Sequence, residues 1–356
     1  MRAHDDISKP TWAVVATVDE PAVLVAAFAR HHLAIGASEV HLYLDRPHPD
    51  LQPLIAGLQG CFVTLCDEDY WANSDFGQRP AHHIRRQKHN ANIAYQKTKC
   101  GFLLHCDADE FIRDSDALYD EMTTLNAPVK TGETHFDGVK IFNCERIWCP
   151  DAPKAASLEN TWGQTDLFTG QFRFPTWLYD DVLRAQFRPF GMFLNRGVSG
   201  HARGKSLIRV GAALEIGIHD ATDLTQKTIV NRLTSKAVLH HFDGLTPLHY
   251  ILKMLKRGYE TPNGPRKRKG VRRTDQARFV RRNAGDAEKL ERFVRTIKSL
   301  TSEQCDMYHE VAAFDPRPFV IQGCQDLDFD AAQFNATLRF ENAAFFEKAG
   351  LAYWGD

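Results

Sequence analysis

Short apolar runs alternate with longer mixed runs along the first third of the chain. Trp12–Val18 (WAVVATV) is almost wholly apolar, the pattern of a strand buried on both faces. The pattern breaks at Asp19-Glu20-Pro21, an acidic cap and a proline at the first helical position. A helix is expected from about Ala22 to Ile35, closed by Gly36, and a second strand over Val40–Leu44. That strand ends at Asp45 and the breaker stretch Arg46-Pro47-His48-Pro49. A helix over Asp50–Leu58 and a third strand over Cys61–Cys66 follow. Ala81–Lys97 reads as a polar helix with Ile84, Ala91, Ala94 and Tyr95 near one face. A fourth strand, Phe102–Cys106, runs straight into Asp107-Ala108-Asp109-Glu110.

Strand–helix alternation over about 110 residues predicts an α/β fold with a mostly parallel central sheet, flanked by helices. Ligands of such sheets bind at the carboxyl ends of the strands. Asp19, Asp45 and the 107–110 cluster each follow a strand, so one sheet edge is expected to gather them. Beyond residue 115 the pattern is mixed, with short strands expected at Gly138–Phe142 and Ser206–Val210 between aromatic-rich connections. After Tyr250 it becomes helical and polar, interrupted at Thr261–Pro265. It ends in a helix expected over Asp330–Ala349 that carries Phe334, Leu338, Phe345 and Phe346. This divides the chain into an α/β region, 1–250, and a basic, mainly helical C-terminal extension, 251–356.

Composition adds exclusions. With 43% hydrophobic residues among 356, the chain can bury a large core. Its net charge of −1 excludes a uniformly basic nucleic-acid coat or a wholly acidic tail. The first residues hold no apolar stretch fit for a signal peptide, and no run of apolar residues is long enough to span a membrane. Eight cysteines without a C-x-x-C pair are expected to be reduced thiols of a cytoplasmic protein. The neutral total conceals Lys253–Arg282, where twelve Lys and Arg face only Glu260 and Asp275. Its densest part is Arg266–Lys269 with Arg272 and Arg273. Such a strip is either a solvated surface or a patch for an anionic membrane or glycan. No nucleic-acid-binding signature accompanies it.

Two aspartates at i and i+2, leaving a strand, can aim oxygens at one Mg²⁺ or Mn²⁺. A metal so held bridges a diphosphate and neutralises the charge that develops as it leaves. The plainer alternative is that Asp107 and Asp109 cap the following turn. Gly200-His-Ala-Arg-Gly204-Lys205-Ser206 imitates a phosphate loop, but it is one residue short between its glycines. No G-x-G-x-x-G is present, which argues against a dinucleotide dehydrogenase.

Leu104-His-Cys-Asp-Ala-Asp-Glu-Phe-Ile112 resembles the hydrophobic strand followed by D-x-D-E-F-I of family 2-like glycosyltransferases with the GT-A fold. Other stations fall in the same order over residues 12–250. They are Val14–Pro21, His32–Gly36, the strand ending at Asp45, Arg86-Gln87 to Tyr95, Gly204–Arg209 and Leu239–Phe242. Departures are Ala27-Phe28 where the family has Glu-Trp, Phe242 in place of a tyrosine, and Asp45-Arg-Pro-His in the loop after the second strand.

The resemblance implies a nucleotide-sugar donor, expected to be UDP-linked, and a glycan or lipid-linked acceptor, as in cell-surface polysaccharide biosynthesis. Asp19 or Glu20 would lie near the nucleoside, Asp45 would accept from base or ribose, and Arg86 would face phosphate. Asp107 and Asp109 would hold Mn²⁺ or Mg²⁺ on the diphosphate, with His241 as a third ligand; the neighbouring His240 is the alternative. Lys205 either touches donor phosphate or lies on a strand edge. The chemistry implied is a single inverting displacement. Its general base is unassigned, with Glu145, Asp151 and Asp166 in the plausible region. The basic segment would dock the enzyme at the inner face of the membrane. Other readings are a nucleotidyltransferase, which lacks its expected phosphate loop here, and a nucleotide- or glycan-binding protein with a decayed transferase site. His31, His82, His83 and His89 are expected to be surface or satisfied core residues.

Overall fold

The computed structural model describes residues 9–129, 131, 134–148, 166–176, 180–260, 272–315 and 317–351. The first third runs β1 (Trp12–Val18), α1 (Ala22–Ala34), β2 (Glu39–Leu44), α2 (Leu51–Ile55), β3 (Cys61–Leu65) and α3 (Glu68–Ala72). It continues through α4 (His83–Lys97), β4 (Phe102–His105), β5 (Glu110–Ile112) and α5 (Ser115–Asn126). Next come β6 (Gly138–Ile147), β7 (Gln171–Arg173), α6 (Asp180–Gln186), β8 (Lys205–Arg209), β9 (Leu214–Ile216), β10 (Ala221–Asp223) and β11 (Arg232–His241). The remainder is mainly helical: α7 (Pro247–Glu260), α8 (Arg272–Arg282), α9 (Ala287–Lys298), α10 (Ser302–Glu310), a short β12 (Phe314–Asp315), α11 (Ala331–Glu341) and α12 (Ala343–Ala349).

The described residues fall into two compact units that interleave along the chain. One draws on residues 1–142, 203–239 and 322–325, the other on 143–202, 240–321 and 326–356. In the first unit β1 lies between β2 and β4, parallel to both, with Val14 opposite Val40 and Leu104. β3 extends the parallel set beyond β2. On the other side β8 runs antiparallel to β4, and Gly138–Ile141 of β6 pairs antiparallel with β8. This is the mixed, centrally parallel sheet flanked by helices that the GT-A-like expectation describes, and the run from α7 to α12 supplies the helical C-terminal extension.

Apolar alternation explains most of these elements. Every residue of β1 except Thr17 is buried, as are Leu24, Val25 and Phe28 of α1. Pro21 precedes the helix as its N-cap, with an extended ψ of 146°, and the helix begins at Ala22 as expected. It ends before Gly36, whose φ of +102° and close approach to Tyr119 both exclude a side chain. The third strand forms where expected, at Cys61–Leu65. Phe62, Val63 and Leu65 are exposed, because β3 is an edge strand that pairs only with β2 among the described residues.

In the second unit Glu145–Ile147 of β6 pairs antiparallel with β7, and β7 with β12. Phe190, Phe193, Phe279 and Phe293 form an aromatic core with ring centroids as close as 4.7 Å. The single terminal helix expected over 330–349 is two helices, interrupted at Asn342; Phe334, Leu338 and Phe346 are buried. No helix among the described residues is long and apolar enough to cross a membrane. Cys61, Cys66, Cys100, Cys106, Cys144, Cys305 and Cys324 are free thiols, while Cys149 lies outside the described residues.

Candidate functional site

The parallel register brings the carboxyl ends of β1 and β2 level, with Val18 opposite Leu44. Asp19 follows the first strand and Asp45 the second. Asp19 Oδ1 accepts from Arg46 Nε at 2.7 Å, and the Asp19 N–H donates to Glu20 Oε2 at 2.8 Å. Asp45 Oδ2 receives Arg79 Nη2 at 2.7 Å and Arg86 Nε at 3.0 Å, with Arg86 Nη2 at 2.8 Å. Its Oδ1 is buried without a hydrogen-bond partner. Burial raises the Asp45 pKa, and the Arg86 and Arg79 guanidinium groups offset only part of that. A cavity of about 590 Å³ opens beside Asp45, lined in part by Arg46, Cys66, Glu68, Trp71 and Arg79.

The expectation that Arg86 faces phosphate meets a different arrangement. Arg86 is buried and donates through Nη1 to the carbonyls of Pro80 (2.8 Å) and Ala81 (3.0 Å), besides its bond to Asp45. The next residue of α4, Gln87, reaches the other carboxylate group. Its Nε2 donates to Asp107 Oδ1 at 2.7 Å. Two consecutive residues of one helix therefore tie down the acids that follow β2 and β4.

Asp107, Asp109 and Glu110 form the second group. Asp107 is about a quarter exposed, whereas Asp109 and Glu110 are fully buried. The Asp107 N–H donates to Glu110 Oε2 at 2.8 Å. Lys205, at the start of β8, places Nζ 3.2 Å from Asp107 Oδ2 and 3.1 Å from Glu110 Oε2. Burial disfavours the ammonium, yet Asp107 and Glu110 together outweigh it and hold its pKa above the usual lysine range. The preceding Gly204 has φ +65°, and a Cβ there would sit 2.0 Å from the Ile141 carbonyl oxygen. Only glycine can deliver Lys205 to this position. The oxygen donors suit a hard cation such as Mg²⁺ or Mn²⁺. Lys205 already neutralises part of their charge.

The histidine pair belongs to the second unit. Strand alternation sends its rings to opposite sides. His240 packs against Phe172 and Phe319, with centroids 4.1 Å and 5.1 Å away. His241 lies beside His201, 5.0 Å between centroids, and its Nε2 is 3.8 Å from Asp243 Oδ1. Gly200 permits this packing, since a Cβ there would lie 2.9 Å from the His241 ring. Single side chains able to ligate a divalent cation thus exist in each unit: Asp109 and Glu110 in one, His201, His241 and Asp243 in the other.

Glu145, a candidate general base, is wholly buried and committed. It accepts from Ser199 Oγ (2.8 Å), the Gly200 N–H (2.6 Å), Arg173 (3.1 Å) and Lys298 (3.1 Å). Burial pushes its pKa up, but Lys298 and Arg173 dominate and bring it to about 2. Asp243 is held the same way by Arg273 and Lys298. Asp166 is a turn residue whose Oδ1 accepts from the Phe168 N–H at 2.6 Å. Asp151 lies outside the described residues.

Sequence reasoning missed Gln87 as an Asp107 ligand, Glu110 as a Lys205 partner, and the bases Arg173 and Lys298. The adjacency of Gln87 to Arg86 was the one local signal. No protein-family model matches the chain, and no curated protein matches it. Among solved structures it is similar to S. aureus TarS 1–349, at 10% identity over 85% of this chain and 87% of that one, with a TM-score of 0.32. It is also similar to the mannosyltransferase PcManGT from Pyrobaculum calidifontis in complex with GDP-Man and Mn²⁺, at 10% identity over 97% and 84%, TM-score 0.35. A CMP:2-keto-3-deoxy-manno-octonic acid synthetase complexed with CTP is a third, at 13% identity over 42% and 57%, TM-score 0.24. Likeness at this level concerns the path of the chain, and the functional reading rests on the residues.

Proposed function

We propose that this chain is a metal-dependent glycosyltransferase that moves a sugar from a nucleotide-sugar donor, UDP-linked, to a glycan or lipid-linked acceptor with inversion. The observation that carries this reading is the gathering of acids at the strand ends of a parallel sheet, each held by a base or amide. Asp19 and Asp45 lie with Arg46, Arg79 and Arg86, and Asp107 with Gln87 and Lys205. In this reading Asp19 and Glu20 flank the nucleoside, and Asp45, whose buried Oδ1 has no hydrogen-bond partner, accepts from a base or ribose donor group. Arg86 acts as a positioning residue for Asp45. Asp107 and Asp109 are the proposed ligands of Mn²⁺ or Mg²⁺, which when bound supplies charge neutralisation at the leaving diphosphate. Lys205 adds a fixed positive charge to the same place.

Residues 1–250 would then form the catalytic region, with 251–356 as an extension attached to it. The basic segment supports peripheral attachment at the inner membrane face, in the cytoplasm, by its charge. Part of that charge is spent internally, since Arg273 binds Asp243 and Arg281 donates to the Gly258 carbonyl. The densest part, Arg266–Lys269, lies outside the described residues. Flotation with anionic vesicles should be lost on replacing Arg266–Lys269 by alanine; equal flotation of both proteins excludes the membrane role.

Thermal unfolding with UDP, GDP and CDP, with and without Mn²⁺, tests the main reading. Ligand at about a hundred times its dissociation constant adds roughly 2.7 kcal/mol, a shift of about 3 °C for a chain of this size. Asp109→Asn should abolish the metal-dependent part of the shift. No response to any nucleoside diphosphate with metal overturns the proposal.

A further inference from the structure

The carboxylate cluster after β4 already contains a cation. Lys205 Nζ touches Asp107 Oδ2 and Glu110 Oε2 at 3.2 Å and 3.1 Å, with its side chain wholly buried. An ammonium has three N–H donors. Two meet these acceptors, and the third finds none among the described residues. Two residues before Asp107, His105 places Nδ1 2.8 Å from the Gly217 carbonyl and keeps a buried Nε2 without a partner. The cluster therefore keeps a charged donor and a ring nitrogen that the protein itself does not satisfy, although buried polar atoms are ordinarily paired.

A divalent cation that uses Asp107 must share this carboxylate with an ammonium about 3 Å away, and the two like charges repel, weakly screened on the side of the wholly buried Lys205. A diphosphate changes the balance. Its oxygens can accept the remaining Lys205 N–H, and its negative charge offsets both cations. We propose that Lys205 makes divalent-metal binding conditional on a nucleoside diphosphate: the free protein holds metal weakly at Asp107, and metal and diphosphate enter together. The inference rests on the reading of this cluster as the donor-diphosphate site. It adds a rule for the order of binding, set by a residue of the protein itself. Because binding free energies are linked, metal must raise nucleotide affinity by the same factor.

The test is a titration of Mn²⁺ against the full chain, following free Mn²⁺ by electron paramagnetic resonance, alone and with saturating UDP, GDP or CDP. Wild type should bind Mn²⁺ at least about tenfold more tightly with its nucleotide. Lys205→Gln should bind Mn²⁺ alone about tenfold more tightly than wild type and lose most of the coupling, while Lys205→Arg keeps it. Equal Mn²⁺ affinity of wild type with and without nucleotide overturns the proposal, whether or not the Gln variant folds. Coupling that survives unchanged in folded Lys205→Gln also overturns it and leaves the donor-site reading standing. Absence of nucleotide binding under every metal condition overturns both.

Discussion

A histidine that uses both ring nitrogens on backbone groups is satisfied in one protonation state only. In the first unit, His31 Nδ1 accepts the Gln322 N–H at 3.1 Å, so Nε2 carries the proton and donates to the Ile112 carbonyl at 2.7 Å. A second proton would set two N–H groups against each other at Gln322. Burial lowers the His31 pKa from 6.5 to about 4, the bond to Ile112 offsetting only part of this. A folded-state pKa below the unfolded value means stability that is complete above pH 6.5 and lost as pH falls towards 4. His31 alone should account for about 2 kcal/mol between pH 7 and pH 5. Urea melts at the two pH values check this: His31→Leu should be less stable at pH 7 yet lose less on acidification than wild type. An equal loss in both proteins shows that His31 is not responsible. The neighbouring His32 is held down by burial as well, so acid sensitivity does not vanish in the variant.

At the scale of elements, β8 illustrates what a local pattern can and cannot reveal. A strand was legible at Ser206–Val210, one residue later than the observed Lys205–Arg209, because Leu207 and Ile208 interrupt polar neighbours. Their antiparallel pairing with β4 was not, since pairing direction leaves no mark on composition. The strand starts at Gly204 because the Ile141 carbonyl fills the space a side chain would need. Gly204→Ala should therefore cost more than about 2 kcal/mol in denaturant melts. Gly211→Ala, at φ +91° but in open space, should cost about 1 kcal/mol for backbone conformation alone. Equal losses would mean that the Ile141 contact relaxes freely. The parallel strands were the most legible elements, because burial on both faces leaves a continuous apolar run. β3 carries such a run too, yet lies at an edge: apolar content records β propensity and not position in the sheet.

For the whole molecule, the acids of the candidate site stood out in the sequence and most of their partners did not. Acids after apolar strands form a local pattern; Lys298 reaches Glu145 across 153 positions, with no periodicity to betray it. This long-range pairing bears on the boundary expected near residue 250. Glu145 and Asp243 are buried with Arg273 and Lys298, which come from α8 and α9. A buried acid stripped of its base loses roughly 3–5 kcal/mol. A chain ended at residue 250 should therefore fail to give a cooperative transition for its second unit, and Lys298→Met should be destabilised by that amount. Calorimetry of both proteins checks this, and a truncated chain that melts like the full one excludes it.

The interleaving of the two units also has a consequence in time. β4 closes the parallel set at Phe102–His105, but its other edge is covered by β8, which begins at Lys205. Between them the chain lays down the whole of the other unit's first segment, 143–202. At about 5–20 residues per second, a ribosome needs roughly 5–20 s to make the intervening hundred residues. For that interval the nascent sheet has an apolar strand with an unpaired edge, and Asp107 and Glu110 stand near it without their lysine. A chaperone that shields strand edges would have its longest opportunity there.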